Sequence, residues 1–255
     1  MNVEPLRRAQ LATADALLSA TLAPACVSCH HPLSSPLAGP ACEGCLASIR
    51  PLPSPLCALC GDALAAWRVL CLSESRCARC RREPPAFDAG RAAGHYDGAL
   101  RDIVHAFKFD GRRRLARVLG ERMREAGASL LEDAGCVVPV PLHPWRRLTR
   151  GFNQAQDLAV TLGPPVVAAL WRLRATASQS GLAATGRRRN VRGAFCLSPL
   201  VSRRTLALRV EGRIVVLVDD VVTTGATLDA CARVLKAAGA REVRILTAAR
   251  ATLRQ

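Results

Sequence analysis

The sequence predicts an α/β protein, a mainly parallel sheet flanked by helices, with a small N-terminal zinc-ribbon module ahead of it. Three observations predict this. Four C-x-x-C pairs crowd the first third of the chain, "CVSC", "CEGC", "CALC" and "CARC". From about residue 88, short β-branched runs alternate with amphipathic helical patterns, the signature of strand–helix units. One of those buried runs ends in two adjacent aspartates and a turn of small hydroxyl residues, "VVLVDDVVTTGATL" at 215–228. With 255 residues and 50% apolar content the chain can bury one good core plus a smaller module, and disorder is excluded.

The elements follow in order. "RRAQLATADALLSATLAPAC" pairs two arginines with a mostly apolar run and superficially suits a signal peptide. Asp15 breaks that run and Cys26 belongs to the first C-x-x-C pair, so a short amphipathic helix over about residues 3–20, packed on the cysteine module, is the preferred reading. The expected organisation is an N-terminal helix over 1–21, a double zinc ribbon over 22–84 and an α/β domain over 88–255.

Two thiolates on one tight turn bite a single Zn²⁺ and a second such turn completes a tetrahedron, whereas disulfide frameworks seldom repeat this spacing four times. Cys26, Cys29, Cys42, Cys45, Cys57, Cys60, Cys77 and Cys80 are the candidate ligands. Sequential pairing, 26/29 with 42/45 and 57/60 with 77/80, is the simplest arrangement; crossed pairing and a single filled site stay open. Gly61 suits the turn after Cys60, since glycine tolerates positive φ. Cys71 reads as a spare thiol, and His30 and His31 as bystanders. Reduced zinc thiolates fit the cytosol, so a cytoplasmic protein is expected. No stretch of ~20 apolar residues suggests a membrane span.

"REPPAF" at 82–87 reads as a linker. Beyond it, 98–109 and 115–131 carry helical periodicity, 136–142 is a buried strand, and 153–162 is helical. "VVLV" is a second buried strand, "LDACARVLKAAGA" a helix closed near Gly239, and 242–249 a further strand.

Ligands of such sheets bind at the carboxyl ends of the strands. Asp219 and Asp220 occupy that end of "VVLV", and the turn holding Thr223, Thr224, Gly225, Ala226 and Thr227 opens the next helix. Backbone amides, hydroxyls and the helix N-terminus together make an anion cradle. Carboxylates repel phosphate, so the two features hold different parts of one ligand. A sugar phosphate satisfies both: the aspartates accept from ribose hydroxyls and the turn wraps the 5′-phosphate. The net charge of +16 points the same way, with 21 Lys/Arg against 8 Asp/Glu between residues 101 and 213. A compositional preference for arginine would account for part of it.

"VVLVDDVVTTGATL" resembles the phosphoribosyl-pyrophosphate (PRPP) motif of type I phosphoribosyltransferases. The rest of the chain resembles the ComF family, the competence-protein-F group of phosphoribosyltransferase-like proteins. The carrying stretches are the four knuckles, "FKFDGRRRLA" at 107–116, "VPVPLHPWRRLTRGFNQAQDLA" at 138–159 and "RATASQSGLAATGRRRNVRGAF" at 174–195. Together they span nearly the whole chain.

The resemblance implies a type I phosphoribosyltransferase-like fold. Asp219 and Asp220 would be the catalytic acids and Thr223 to Thr227 the 5′-phosphate loop. Arg146, Arg147 and Arg150, with Lys108, would contact pyrophosphate. Gln179, Arg187 and Asn190 would lie in a flexible loop that closes over the substrate and keeps water from the transition state. Structural zinc, one ion or two, and Mg²⁺ carried with PRPP are the implied cofactors. The implied chemistry is displacement of pyrophosphate from C1 by a nitrogen nucleophile. Thr223 stands where transferases of 6-oxopurines carry an acid, which disfavours purine salvage by that route and leaves the acceptor open. The family's link to competence implies a role in DNA uptake. It suggests single-stranded DNA as a partner, and a competence helicase or recombination protein as a docking partner. A non-catalytic zinc-ribbon module with PRPP as regulatory ligand is the alternative reading.

Overall fold

The structure, a computed structural model, describes residues 4–64, 75–143, 151–174 and 193–251, with Glu4–Leu11 described by their backbone alone. Its centre is a four-stranded, wholly parallel sheet of order β1-β6-β5-β2. The strands are β1 (Ala89–Ala92), β2 (Cys136–Pro139), β5 (Ile214–Val222) and β6 (Glu242–Arg250). A two-stranded antiparallel hairpin, β3 (Leu170–Arg172) with β4 (Phe195–Leu197), stands apart from it.

Successive strand residues face opposite sides, and each side of β5 feeds a different core. Val216 and Val218 pack with Val137 and Leu246 under α4 (Gly98–Phe109), α5 (Leu115–Ala126) and α7 (Gln154–Val160). Val215 and Leu217 pack with Val138 and Ile245 under α9 (Ala226–Ala237), the hairpin residues Leu170 and Phe195, and Cys57, Cys60 and Cys80. A sheet covered on both faces explains why its strands read as continuous apolar runs.

The N-terminal helix α1 (Glu4–Leu22) turns toward the first cysteine module. Asp15 accepts the Leu37 amide at 2.8 Å, and the Ser19 hydroxyl donates to the Leu33 carbonyl at 2.9 Å. The short helices α2 (Glu43–Ala47) and α3 (Ala78–Arg82) start within the second knuckle of each cysteine set, capped by its first cysteine and containing its second.

Several expected elements change on folding. The helix expected over 115–131 breaks at Gly127 into α5 and the single turn α6 (Ala128–Leu131). A Cβ at Gly127 would stand 2.6 Å from Leu246, so the chain bends where the sheet comes closest. Strand β5 does not stop at the aspartates but runs on to Val222, because β6 is equally long and pairs with it as far as Arg250. The helix expected over 153–162 is confined to α7, capped by the Asn153 side chain, which accepts from Ala155 N–H at 3.2 Å. Strand β1, the hairpin and α8 (Arg203–Arg209) are additional. Gly239 sits just past the end of α9 at φ +88°, as expected of a helix-closing glycine.

Candidate functional site

Alternation along β5 turns the two aspartates toward opposite faces. Asp220 is buried and faces α4, where its Oδ2 lies 2.7 Å from Lys108 Nζ. Asp219 faces α9 and the hairpin, where it feels Cys231 and Arg172. Each carboxylate is fixed by the chain itself: Asp219 Oδ1 accepts from Asp220 N–H at 2.9 Å, and Asp220 Oδ1 from Val221 N–H at 2.7 Å. Burial and the neighbouring Asp220 charge push the Asp219 carboxyl up to about 7, with Lys108 opposing them.

Behind the aspartates, Gly225 is the N-cap of α9 in the left-handed region, φ +78°, and supplies no side chain to the orphan amides. Thr224 is buried, and its Oγ1 accepts from Ala226 N–H at 3.4 Å. Among the described residues, the N–H groups of Thr223, Thr224 and Gly225 donate to no protein acceptor. Three free amides at the start of a twelve-residue helix can receive an anion, with the helix dipole reinforcing them. Lys108, expected to meet pyrophosphate, is committed to Asp220. Arg146, Arg147, Arg150, Gln179, Arg187 and Asn190 lie outside the described residues, as does Cys71.

The cysteines assemble in the sequential pairing. Cys26, Cys29, Cys42 and Cys45 form one group and Cys57, Cys60, Cys77 and Cys80 another, each with its sulfurs within 4.8 Å of one another. Sulfurs about 2.3 Å from a tetrahedral zinc stand about 3.8 Å apart; Cys29–Cys42 and Cys60–Cys77 are both 3.7 Å. Backbone amides already point at sulfur in matching places. Cys42 N–H donates to Cys26 Sγ and Cys77 N–H to Cys57 Sγ, at 3.4 and 3.3 Å. Within the second group the shared sulfur contacts hold the Cys57 thiol far below its ordinary range and push Cys60 and Cys80 above theirs, as expected of four thiols crowded round one point. Both groups therefore fit a Zn²⁺ ion.

The turn after each first knuckle adopts positive φ, +60° at His30 and +70° at Gly61. Gly61 confirms the expectation for that turn and has a second reason to be glycine: a Cβ there would lie 2.4 Å from the Gly90 carbonyl oxygen. The second cysteine group thus rests directly on the sheet. Arg250, buried at the end of β6, donates to the Cys60 carbonyl, and its guanidinium lies 3.4 Å from Asp62. A cleft between this group and the α9 turn is lined by Cys60, Arg79, Phe87, Thr224, Gly225 and Arg233.

The Phosphoribosyl transferase domain family matches residues 149–253, the segment that carries the aspartates and the turn. Over 236 residues the chain is 33% identical to Competence protein F of Haemophilus influenzae, covering 89% of this chain and 96% of that protein. The chain belongs to the competence protein F family. It is also 32% identical to the DNA utilization protein YhgH of Escherichia coli over 208 residues, 74% of this chain and 88% of that one. Competence protein ComFC of Bacillus subtilis matches at 29% over 201 residues, 76% of this chain and 77% of that one. The fold is accordingly that of a phosphoribosyltransferase domain joined to a cysteine module compatible with zinc ribbons. Among the described residues, no helix of this ComF-family protein is long and apolar enough to cross a membrane.

Part of the "RGFNQ" stretch, which carries the resemblance to the family, has a structural account. Gly151 is at φ +75°, and the Phe152 ring meets Phe107 at a tilt of 58°, with centroids 5.8 Å apart. The Asn153 amide donates to the Val140 carbonyl, and Gln154 Nε2 donates to the Lys108 carbonyl. These contacts fix α7 beside the end of β2 and the lysine that meets Asp220. Two arginines near the site escaped the sequence reading. Arg172 is buried in β3 over the Phe195 ring, and only its place inside an apolar "LWRL" run hinted at it. Arg79 lies between two metal-ligand cysteines, where no motif marks it.

Proposed function

We propose that this protein binds PRPP with Mg²⁺ at residues 215–228 and acts in DNA uptake. The observation that carries the ligand reading is the pairing of three amides on the Thr223–Gly225 turn, free among the described residues, with carboxylates two and three residues before the end of the preceding strand. The turn takes the 5′-phosphate. Asp219 and Asp220 accept from the ribose hydroxyls, and Lys108 limits the repulsion between two adjacent carboxylates. Mg²⁺ bound with the ligand would neutralise charge on the departing pyrophosphate. In the same reading Arg146, Arg147 and Arg150 hold the pyrophosphate, and the segment of Gln179, Arg187 and Asn190 covers the site. The names of the relatives, competence and DNA utilization, support the cellular role.

Calorimetric titration of PRPP and Mg²⁺ into wild type and Asp219→Asn/Asp220→Asn tests the reading. Micromolar binding that the double variant abolishes is expected; a wild type that ignores PRPP overturns it. Pyrophosphate release with trial nitrogen nucleophiles then separates a pentosyltransferase from a protein that uses PRPP as a regulatory ligand.

Binding of single-stranded DNA is the second part of the proposal. It rests on the net charge of +16 and on Phe109, which is 57% exposed at the end of α4, 4.7 Å from the His105 ring. Phe107, by contrast, is core. The expected result is affinity that falls steeply with salt. The zinc ribbons offer a docking face for a competence helicase or recombination protein, to be tested by pull-down with the purified partner.

A further inference from the structure

The second cysteine group reaches the phosphate turn through one side chain. Arg79 is the first residue after Ala78 in α3, so it lies between Cys77 and Cys80, both candidate metal ligands. Its Nη1 donates to the Thr224 carbonyl at 3.2 Å, and its Nη2 lies 3.6 Å from Asp62. The side chain is only 25% exposed. The linker that follows adds two more ties. Ala86 N–H donates to Asp229 Oδ1 at 2.6 Å in the first turn of α9, and Phe87 lies against Gly225.

These contacts bear on a turn with few restraints of its own. Its N-cap is glycine, and Thr224 Oγ1 provides a single long bond within it. A carbonyl held from outside orients the Thr224–Gly225 peptide, and hence the Gly225 N–H on its other side. The anchor for Arg79 is itself conditional. Helix α3 has five residues, too few to persist alone, and its N-cap is the Cys77 sulfur. Two metal–sulfur bonds flanking Arg79 would fix its backbone.

We propose that Arg79 is a positioning residue for the 5′-phosphate turn, and that metal in the Cys57/Cys60/Cys77/Cys80 site is what holds it in place. Among the described residues the first cysteine group makes no hydrogen bond to the turn; it reaches α4 and α5 through Ser28–Asp102 and Arg122–Leu46. The proposal rests on the phosphate assignment of the turn, but its test does not depend on that assignment alone.

The test compares wild type, Arg79→Met, Arg79→Lys and Arg122→Met, all as the full zinc-loaded chain. Metal analysis checks that each keeps its zinc. Hydrogen exchange reads the amides of residues 223–227, and calorimetry reads ribose 5-phosphate affinity. Arg79→Met should accelerate exchange at these amides and weaken ribose 5-phosphate about tenfold, as loss of one charge-assisted hydrogen bond does. Arg79→Lys should restore part of both, and Arg122→Met should change neither. Removal of zinc from the second site should speed exchange at 223–227, relative to the amides of β5 and β6, more in wild type than in Arg79→Met. Exchange at 223–227 that is the same in wild type and in zinc-replete Arg79→Met overturns the proposal. If wild type ignores ribose 5-phosphate and PRPP, the phosphate assignment falls, while the exchange rates still decide whether Arg79 orders the turn.

Discussion

In the first cysteine group Cys26 is buried, Cys29 is exposed and the other two are half-buried; in the second, Cys57, Cys60 and Cys80 are all buried. The two repeat one backbone design. His30 and Gly61 donate to the carbonyls of Cys26 and Cys57, and Leu33 and Leu64 to those of Pro24 and Pro55. They differ in what lies behind them. The first rests against two helices through half-exposed contacts, whereas the second has the sheet, the buried Arg250 and the phosphate turn at its back. The same metal fold therefore serves as an outer staple in one place and as part of the core in the other.

Breaking one ligand in each site should give the largest contrast. Cys60→Ser removes a sulfur from the site that shares a core with the sheet, so a loss of several kcal/mol and early melting of the whole domain are expected. Cys29→Ser opens an exposed site, and the sheet should melt close to wild type after one zinc is lost. Calorimetric melting with zinc analysis checks both; equal losses would mean that the two sites are energetically alike.

The glycine contrast is next in size. Gly61→Ala combines a positive φ with a 2.4 Å clash against backbone, and should destabilise by about 2–4 kcal/mol. His30 holds the equivalent turn at φ +60° in an exposed position, so His30→Gly should be neutral or stabilising by up to about 1 kcal/mol. Urea unfolding of both variants measures the difference.

The contrast also bears on how far the sequence could be read. The cysteine spacing fixes the C-x-x-C pairs, since two thiols separated by two residues can share one metal wherever the chain goes, whereas which pairs combine is decided by the fold. The spacing is silent about which group lies on the sheet: "CVSCHH" and "CALCGD" differ at all four non-cysteine positions, and none of these differences by itself marks contact with a sheet. The strand and aspartate cluster were legible for a related reason: a strand covered on both faces leaves an unbroken apolar run that must end where polar residues begin. Strand β1, "AGRA", carries no such run, because as an edge strand it is held by pairing with β6. Hairpin β3–β4 joins segments far apart in the chain and has no local turn signal. Arg79 was illegible because its partner, a backbone carbonyl, has no sequence identity at all.

The same site supplies a pH-dependent contrast. Below pH 3.8 Asp219 is protonated in both the folded and the unfolded chain and contributes nothing to stability. As pH rises toward 7 the unfolded chain ionises while the folded one keeps its proton, so stability falls across that window, and the full penalty remains above it. Asp219→Asn removes the penalty. The ligand-free variant should be more stable than wild type by on the order of 2 kcal/mol at pH 7.5, allowing for the partial exposure of the carboxyl, and indistinguishable near pH 4.

The smallest effect is expected where the first group touches α4 at its edge. Arg50 lies 2.6 Å from Asp97, the N-cap residue of α4, but the two side chains are 72% and 48% exposed. A pair in that much water is screened and must order a long side chain, so Arg50→Met should lower stability by less than about 1 kcal/mol, and less still in 0.5 M salt. Arg79 makes the opposite case: it is three-quarters buried, it holds a carbonyl rather than a mobile carboxylate, and replacing it takes a charged donor from that part-buried carbonyl. If Arg50→Met proved as damaging as Arg79→Met, the first cysteine group would be as integral to the domain as the second, and the distinction between staple and core would fail.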